Sequence, residues 1–168
     1  DYSEEYQAYY HEKMLEIFSA RPWIWSTYVW NMFDFAADSR DEGGVKGRNN
    51  KGLVTYDRKT KKDSFYLYKA YWSDTPFVHV CSKRFERRAR AEITVKVYAN
   101  CGPLTLEVNG KTIARQEAGP VYTFERVPLE MGENRIRAFS DTGETDTAVF
   151  ERVVEDDGRY TLPQNNSE

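Results

Sequence analysis

Hydrophobic residues follow two different periods along the chain, and the change between them comes near Pro76. In residues 1–20 they recur at helical spacing, which predicts an amphipathic helix. Ser3 can cap the start of this helix, because its hydroxyl can accept a hydrogen bond from a free N–H of the first turn. The predicted apolar stripe consists of Tyr6, Tyr10, Met14, Ile17 and Phe18.

Residues 23–35 hold three of the four tryptophans and are rich in aromatic and β-branched side chains, so we expect a strand. Its early positions do not alternate between polar and apolar, which is typical of a parallel strand covered by helices on both faces. Asn31 and Asp34 come at the C-terminal end of this strand, where α/β folds carry their chemistry. A core strand that simply ends in two polar residues is the alternative.

The segments that follow predict a loop and a second helix. Residues 36–50 form a long polar stretch with three glycines, which we expect to be a loop. Residues 53–56 predict a short extended piece, and residues 64–72 predict a helix with an aromatic face. The first part therefore consists of helix, strand, loop and helix, which is too little chain to close a barrel.

Beyond Pro76, hydrophobic residues alternate with polar ones, which predicts β-strands. The dipeptide Asn109-Gly110 is a strong signal for a tight hairpin turn. Short strands separated by turns at intervals of about ten residues are typical of an antiparallel β-sandwich of the immunoglobulin type. The predicted strands are residues 77–80, 92–98, 104–108, 111–114, 122–127, 134–139 and 147–153.

Composition and charge restrict the partners that the chain is expected to have. The net charge is -3 at pH 7, which gives no electrostatic reason to expect binding to nucleic acid or to an anionic membrane. No apolar run reaches the length of a membrane span. Cys81 and Cys101 are too few for a disulfide framework or a zinc site, so we expect free thiols, with a single bridge between strands as the alternative. The chain starts at Asp1 rather than Met, so we expect it to be cut from a longer protein.

Two stretches carry the side chains best suited to ligand binding. Residues 30–34 combine a tryptophan face, which can stack on a sugar ring, with the amide of Asn31 and the carboxylate of Asp34. Residues 48–52 offer the amide of Asn49 and the ammonium of Lys51, a combination suited to hydroxyls or to a carboxylate. A solvated polar loop is the alternative for the second stretch. The sequence has no recognisable phosphate-binding, metal-binding or Ser-His-Asp motif.

Six short motifs occur in order within residues 1–75: WNMFDF (30–35), DEG (41–43), GRNNKGLV (47–54), YDRK (56–59), KDSFY (62–66) and YWS (71–73). Together they strongly resemble the end of the catalytic barrel in glycoside hydrolase family two, the β-galactosidase and β-glucuronidase family. The residues that follow resemble, more loosely, the immunoglobulin-like domain that many bacterial members carry after the barrel. The matching hairpin consists of VYANC (97–101) and LEVNGK (106–111).

The resemblance implies a domain organisation. Residues 1–75 would be the C-terminal remnant of a catalytic (β/α)8 barrel, residues 76–157 an immunoglobulin-like antiparallel β-sandwich, and residues 158–168 a polar tail. The expected fold class is therefore an α+β fragment, made of the last helix–strand–helix of a barrel and a sandwich. The seventh barrel helix, the eighth strand and the closing helix would be residues 1–20, 23–35 and 64–72.

The resemblance also implies which residues contact a sugar. Family members are retaining enzymes with two catalytic glutamates, and both would precede Asp1, so no residue of this chain is expected to be catalytic and the chain alone should be inactive. Trp30 would line the floor of the sugar site, with Asn31 and Asp34 supporting it. Asn49 and Lys51 match the pair that family glucuronidases use to hold a uronate carboxylate.

We expect the whole enzyme to be a β-galactosidase that acts on β-linked galactosides or related glycans, because the surrounding sequence looks more like β-galactosidases. A β-glucuronidase or β-galacturonidase is the alternative, and a carbohydrate-binding or spacer role is open for the sandwich. No metal ligand set is visible, although some family galactosidases use magnesium and sodium ions. We expect residues 1–75 either to form dimers through their apolar faces or to be partly disordered. We expect no nucleic-acid or membrane partner. A cytoplasmic and an exported bacterial location both stay open.

Overall fold

The computed structural model describes residues 2–42, 44–156 and 158 of the chain. These residues belong to two units that divide between Phe65 and Tyr66. The domain bounds expected from the sequence, 1–75, 76–157 and 158–168, stay predictions, and the tail lies outside the described residues except for Gly158. No helix in the described ranges is long and apolar enough to cross a membrane.

The first helix, α1, spans Glu4–Ser19, close to its predicted bounds. The Ser3 hydroxyl accepts a hydrogen bond from the N–H of Tyr6 at 3.2 Å, as predicted for a helix cap. Glu4 and Glu5 lie in the first turn, where their negative charge is favourable beside the positive end of the helix dipole. The sequence therefore predicted both the existence and the start of this helix.

The buried face of α1 is not the predicted apolar stripe. Tyr6, Tyr10 and Ile17 are exposed. The buried positions recur at helical spacing on another face and are Ala8, His11, Glu12 and Leu15. Burial lowers the pKa of His11, because removal from water disfavours the charged imidazolium. The prediction was wrong because it counted tyrosine as a core residue, whereas its hydroxyl lets the ring lie at a wet surface.

The strand predicted over residues 23–35 does not form as one strand. Residues 24–29 have no regular secondary structure, and Trp25 and Tyr28 are 92% and 90% exposed. Pairing appears only near the end of this segment, where Phe33 forms an isolated parallel bridge with Val54 and Phe35 pairs with Asn49. A strand requires a neighbour that completes its backbone hydrogen bonds, and no strand in the described part of the chain pairs with residues 24–29. Side-chain composition cannot reveal that neighbour.

The loop predicted over residues 36–50 is an antiparallel hairpin. Its strands are β1 (Phe35–Glu42) and β2 (Val45–Asn49). Gly47 in β2 has a φ of 72°, which glycine adopts without the steric cost that a Cβ would bring. The prediction was wrong because polar side chains dominate both strands, so the alternation that marks a half-buried strand is absent.

The second helix, α2, spans Asp63–Trp72 and so begins one residue before the predicted start. Within the second unit, the ring of Tyr66 on this helix stacks on His79, with the ring centroids 3.7 Å apart. The strands that follow are β3 (Val78–Val80), β4 (Arg87–Arg88), β5 (Glu92–Ala99), β6 (Leu104–Val108), β7 (Lys111–Gln116), β8 (Val121–Pro128), β9 (Gly132–Ser140) and β10 (Thr145–Arg152). All except β4 were predicted, and β4 is too short to show a period of two.

The strands of the second unit form two sheets with the orders β4-β10-β9-β6-β7 and β3-β5-β8. β4 pairs with β10 in parallel, and the other pairs are antiparallel. Alternate residues of both sheets enter one hydrophobic core, which contains the fully buried rings of Phe124 and Phe150. The predicted antiparallel sheets are therefore confirmed, whereas the immunoglobulin type of the sandwich stays a prediction.

Neither Cys81 nor Cys101 forms a disulfide, as the sequence led us to expect. Cys81 is buried and Cys101 is partly buried. Burial raises the pKa of the Cys101 thiol, because a thiolate is less stable away from water. The alternative of a bridge between strands is excluded in this structure.

The fully buried amide of Asn134 in β9 satisfies four backbone and side-chain groups around one turn. Its Oδ1 accepts hydrogen bonds from the N–H of Glu130 at 2.8 Å and from Nδ2 of Asn109 at 3.2 Å. Its Nδ2 donates to the carbonyls of Glu130 and Gly132 at 2.7 and 2.9 Å. Asn134 therefore closes the turn that leads into β9.

We predict that Asn134→Ala lowers the free energy of unfolding by about 2–4 kcal/mol, because it leaves several buried polar groups without a hydrogen-bond partner. Urea denaturation followed by far-UV circular dichroism measures the loss. The neighbouring Glu133 is exposed, so Glu133→Ala serves as the control and should change stability by less than about 0.5 kcal/mol. Equal losses in the two variants would contradict the role given to Asn134.

Candidate functional site

Two short segments of the first unit run side by side and form the base of the candidate site. The N–H of Leu53 donates to the carbonyl of Asn31, and the N–H of Val54 donates to the carbonyl of Met32, both at 3.0 Å. The N–H of Asp34 returns a hydrogen bond to the carbonyl of Val54, also at 3.0 Å. This pairing places both motif-bearing stretches, residues 30–34 and 48–52, next to each other.

Asp34 and Lys62 form a buried ion pair beneath these segments. Lys62 Nζ lies 2.8 Å from Asp34 Oδ1, and both side chains are almost completely buried. The same Asp34 oxygen accepts the N–H of Gly52 at 2.9 Å, and Lys62 Nζ also donates to the carbonyl of Asn50 at 2.8 Å. The predicted sugar-binding residue Asp34 thus has its carboxylate engaged by the protein itself.

Gly52 permits this arrangement because it has no side chain. A Cβ at this position would lie 2.0 Å from the backbone nitrogen of Asp34 and 2.7 Å from its Oδ1. Such distances are far shorter than any real carbon contact, and the clashing backbone cannot move aside. The close approach of residues 50–52 to Asp34 therefore depends on glycine at position 52.

Side chains from the starts of both helices hold the same loop. Gln7 on α1 donates from Nε2 to the carbonyls of Lys51 and Gly52, each at 3.0 Å. Its Oε1 accepts the hydroxyl of Ser64 in the first turn of α2 at 3.2 Å. Glu4 accepts the N–H of Asp63 at 2.7 Å and so satisfies a free donor at the start of α2. These bonds fix the backbone from which Lys51 projects.

Asn49 and Lys51, the predicted carboxylate-binding pair, form a local turn. Asn49 is 4% exposed, and its Oδ1 accepts the N–H of Lys51 at 3.0 Å. The Lys51 side chain is half exposed, and its ammonium lies 3.6 Å from Oε1 of Glu42. Arg40 contacts the same oxygen of Glu42 at 3.2 Å. The amide of Asn49 thus shapes the backbone, whereas the half-exposed side chain of Lys51 brings its ammonium next to Glu42.

Trp30 and Asn31 lie at the edge of the same region. Trp30 is 72% exposed, and its ring meets Phe35 edge to face with centroids 6.2 Å apart. Asn31 is engaged locally, because its Oδ1 accepts the N–H of Met32 at 2.7 Å. An open indole face suits stacking on the apolar face of a sugar ring. Hydrogen bonds therefore bring Asn31, Asp34, Asn49 and Lys51 into one region, whereas Trp30 is placed by its neighbour Asn31 and by its ring contact with Phe35.

Sequence reasoning missed three residues that organise this site: Gln7, Glu42 and Lys62. Lys62 lies in the motif KDSFY and Glu42 in the motif DEG. The resemblance of these motifs to the glycosidase family was the sequence feature that could have pointed to both residues. Glu42 lies in the polar stretch that we expected to be a loop, so the burial of its side chain in a hairpin could not be predicted. Gln7 carries no sequence signal, since a polar residue on a helix usually faces water.

Comparison with known proteins identifies relatives that match most of the chain. A β-glucuronidase of Bacteroides fragilis is 43% identical over 137 residues, which cover 80% of this chain and 20% of the relative. The crystal structure of an FMN-binding β-glucuronidase from Facaelibacterium prausnitzii L2-6 matches with a TM-score of 0.92 and 53% identity. That match covers 97% of this chain and 25% of that one. Our chain is homologous to a segment of family-two β-glycosidases.

A third relative is named for a different activity. The crystal structure of a putative β-galactosidase from Bacteroides fragilis matches with a TM-score of 0.83 and 37% identity, over 90% of this chain and 23% of that one. No family model matches the sequence. The chain spans about a fifth to a quarter of the length of these β-glycosidases.

We predict that Lys62→Met destabilises the first unit by about 3 kcal/mol, because it leaves Asp34 charged, buried and without its ion-pair partner. Hydrogen exchange at the Gly52 amide, which donates to Asp34, should become faster by about a hundredfold, the factor that corresponds to this free energy. Lys61→Met, at the exposed neighbouring lysine, is the control and should leave the exchange rate unchanged. If the Gly52 amide exchanges as slowly in Lys62→Met as in Lys61→Met, the ion pair does not hold the loop.

Proposed function

We propose that this chain is the end of the catalytic part of a bacterial β-glycosidase, and that the whole enzyme removes β-linked glucuronic acid from its substrates. This proposal departs from the β-galactosidase expected from the sequence. The relatives at 43% and 53% identity are named β-glucuronidases, whereas a β-galactosidase name appears at 37%. All three relatives are named as β-glycosidases.

The position of the Lys51 ammonium is the observation that favours a glucuronide over a galactoside as the substrate. Its backbone is fixed by the Asn49 side chain and by Gln7, and its side chain remains half exposed. An ammonium that projects from such a backbone into a sugar site can form a charge-assisted hydrogen bond with the carboxylate of a uronate. A galactoside offers a neutral hydroxyl at the corresponding carbon and gains much less from the same charge.

The exposed surface of the first unit supports a longer catalytic domain. The side chains of Trp23, Trp25 and Tyr28 are exposed to solvent in the described chain. Exposed hydrophobic patches of this kind usually mark an interface. In a (β/α)8 barrel, a strand pairs with two neighbours and is covered by helices, so the rest of such a barrel would cover residues 23–30. Self-association of the isolated chain through this surface stays a prediction.

We assign a binding role, and no catalytic role, to the residues of this chain. Retaining glycosidases use one carboxylic acid to protonate the leaving oxygen and one carboxylate to attack the anomeric carbon. Asp34 is paired with Lys62, so its carboxylate is unsuited to either step. Trp30 would stack on the sugar ring and Lys51 would hold the uronate. Both catalytic carboxylates would come from the longer protein, and this chain alone would be inactive.

For the antiparallel sheets of the second unit, we infer a spacer role rather than carbohydrate binding. Outward positions carry charged side chains, including the exposed Glu92 and Arg126. Arg137 and Glu107 pair across neighbouring strands at 3.3 Å. Carbohydrate-binding faces usually need exposed aromatic rings, and charged cross-strand pairs suit a solvated face instead.

The proposal predicts a selective effect of Lys51→Ala in the full-length enzyme. Hydrolysis of nitrophenyl β-glucuronide should lose about 10- to 100-fold in kcat/KM, the range expected for one hydrogen bond to a charged group. Hydrolysis of nitrophenyl β-galactoside, measured in parallel, should change by less than about threefold.

Lys46, an exposed lysine on the same hairpin, supplies the control variant Lys46→Ala, which should leave both rates unchanged. Galactoside turnover that exceeds glucuronide turnover in the unmodified enzyme, and falls only modestly in Lys51→Ala, would favour the β-galactosidase expected from the sequence. The purified 168-residue chain should hydrolyse neither substrate.

A further inference from the structure

Glu42 occupies an unusual position for a carboxylate. It ends β1, is 5% exposed, and directs one oxygen, Oε1, towards both Arg40 and Lys51. Its second oxygen, Oε2, is buried and has no hydrogen-bond partner among the described residues. A buried carboxylate oxygen without a partner is unfavourable, because it has lost its hydration and gained no protein donor.

Glu42 is therefore poorly suited to a purely structural role. The two cations that it meets have half-exposed side chains, and ion pairs with exposed partners add little to stability. Replacement of the carboxylate by an amide would remove the buried charge and keep the shape. On this basis the stability of the fold does not depend on the negative charge of Glu42.

We propose that Glu42 is a positioning residue for Lys51, and that its negative charge holds the Lys51 ammonium in the place where a uronate carboxylate binds. This inference rests on the proposed glucuronidase function. A lysine side chain has many rotamers, and the 3.6 Å ion pair with a buried carboxylate selects among them. An ammonium that is ordered before the substrate arrives loses less entropy on binding.

The local charge also favours this role. Glu42 carries one negative charge, and Arg40 and Lys51 together carry two positive charges, so one positive charge remains for an incoming carboxylate. Because Arg40 already neutralises part of the Glu42 charge, Lys51 is held without being fully neutralised. The same glutamate without Arg40 would compete more strongly with the substrate for the ammonium.

The test is the Glu42→Gln variant of the full-length enzyme, with steady-state kinetics on nitrophenyl β-glucuronide and β-galactoside. We expect KM for the glucuronide to rise about fivefold, the size expected when one lysine side chain must be ordered on binding. The kcat for the glucuronide, the galactoside kinetics and the thermal unfolding midpoint should stay unchanged. Asp41→Asn, an exposed carboxylate next to Glu42, is the matched control and should alter none of these quantities.

A double-mutant cycle shows whether Glu42 acts through Lys51. In the Lys51→Ala background, Glu42→Gln should have no further effect on glucuronide KM, because the side chain that it positions is gone. An unchanged or lowered KM in the single variant would overturn the inference, since a lowered value means that Glu42 only repels the substrate. Equal effects of Glu42→Gln with and without Lys51 would also overturn it.

Failure of the inference is distinguishable from failure of the proposed function. If the unmodified enzyme cleaves glucuronides and Lys51→Ala weakens this activity, but Glu42→Gln does not, then only the positioning role is wrong. If Lys51→Ala has no selective effect on the glucuronide, the proposed function is wrong, and the role of Glu42 falls with it.

Discussion

The first unit depends on the buried ion pair between Asp34 and Lys62. One oxygen of Asp34 accepts both the Lys62 ammonium and the Gly52 N–H, and Lys62 reaches on to the carbonyl of Asn50. Three segments that are distant in the sequence therefore meet at one carboxylate. Buried charges are costly unless paired and hydrogen-bonded, so this arrangement tolerates little variation in geometry. It is better regarded as a device for specific placement than as a source of net stability.

Specific placement matters because the candidate ligand-binding groups project from the segments that this pair joins. Lys51 lies between Asn50 and Gly52, both of which contact the pair, and Gln7 on α1 holds the carbonyls of Lys51 and Gly52. Asn49 then shapes the turn from the other side. The loop is polar in composition but rigid in hydrogen bonding, which is what a site needs in order to present one ammonium in a fixed position.

The elements that sequence reasoning predicted correctly are those whose signal is local. α1 shows a capping serine and helical spacing, and the strands of the second unit show alternation and an Asn-Gly turn. The errors share another cause. Residues 24–29 have strand-like composition but no pairing partner in the described chain, and residues 35–49 have partners but polar composition. Pairing is a long-range property, so a pattern within one segment cannot establish or exclude it.

The same distinction limits what the sequence could predict about the site. Asn49 and Lys51 are visible as a short motif, but the behaviour of an ammonium depends on the charges brought near it by folding. Glu42 is nine residues away in the chain and reaches Lys51 only because an unpredicted hairpin turns back at its end. A glutamate exposed to solvent and far from Lys51 would have no bearing on specificity. In the proposed function, Glu42 buried beside Lys51 would set how much positive charge a substrate meets. On that proposal, the preference for a uronate over a neutral sugar would depend on a contact that forms only when the chain folds.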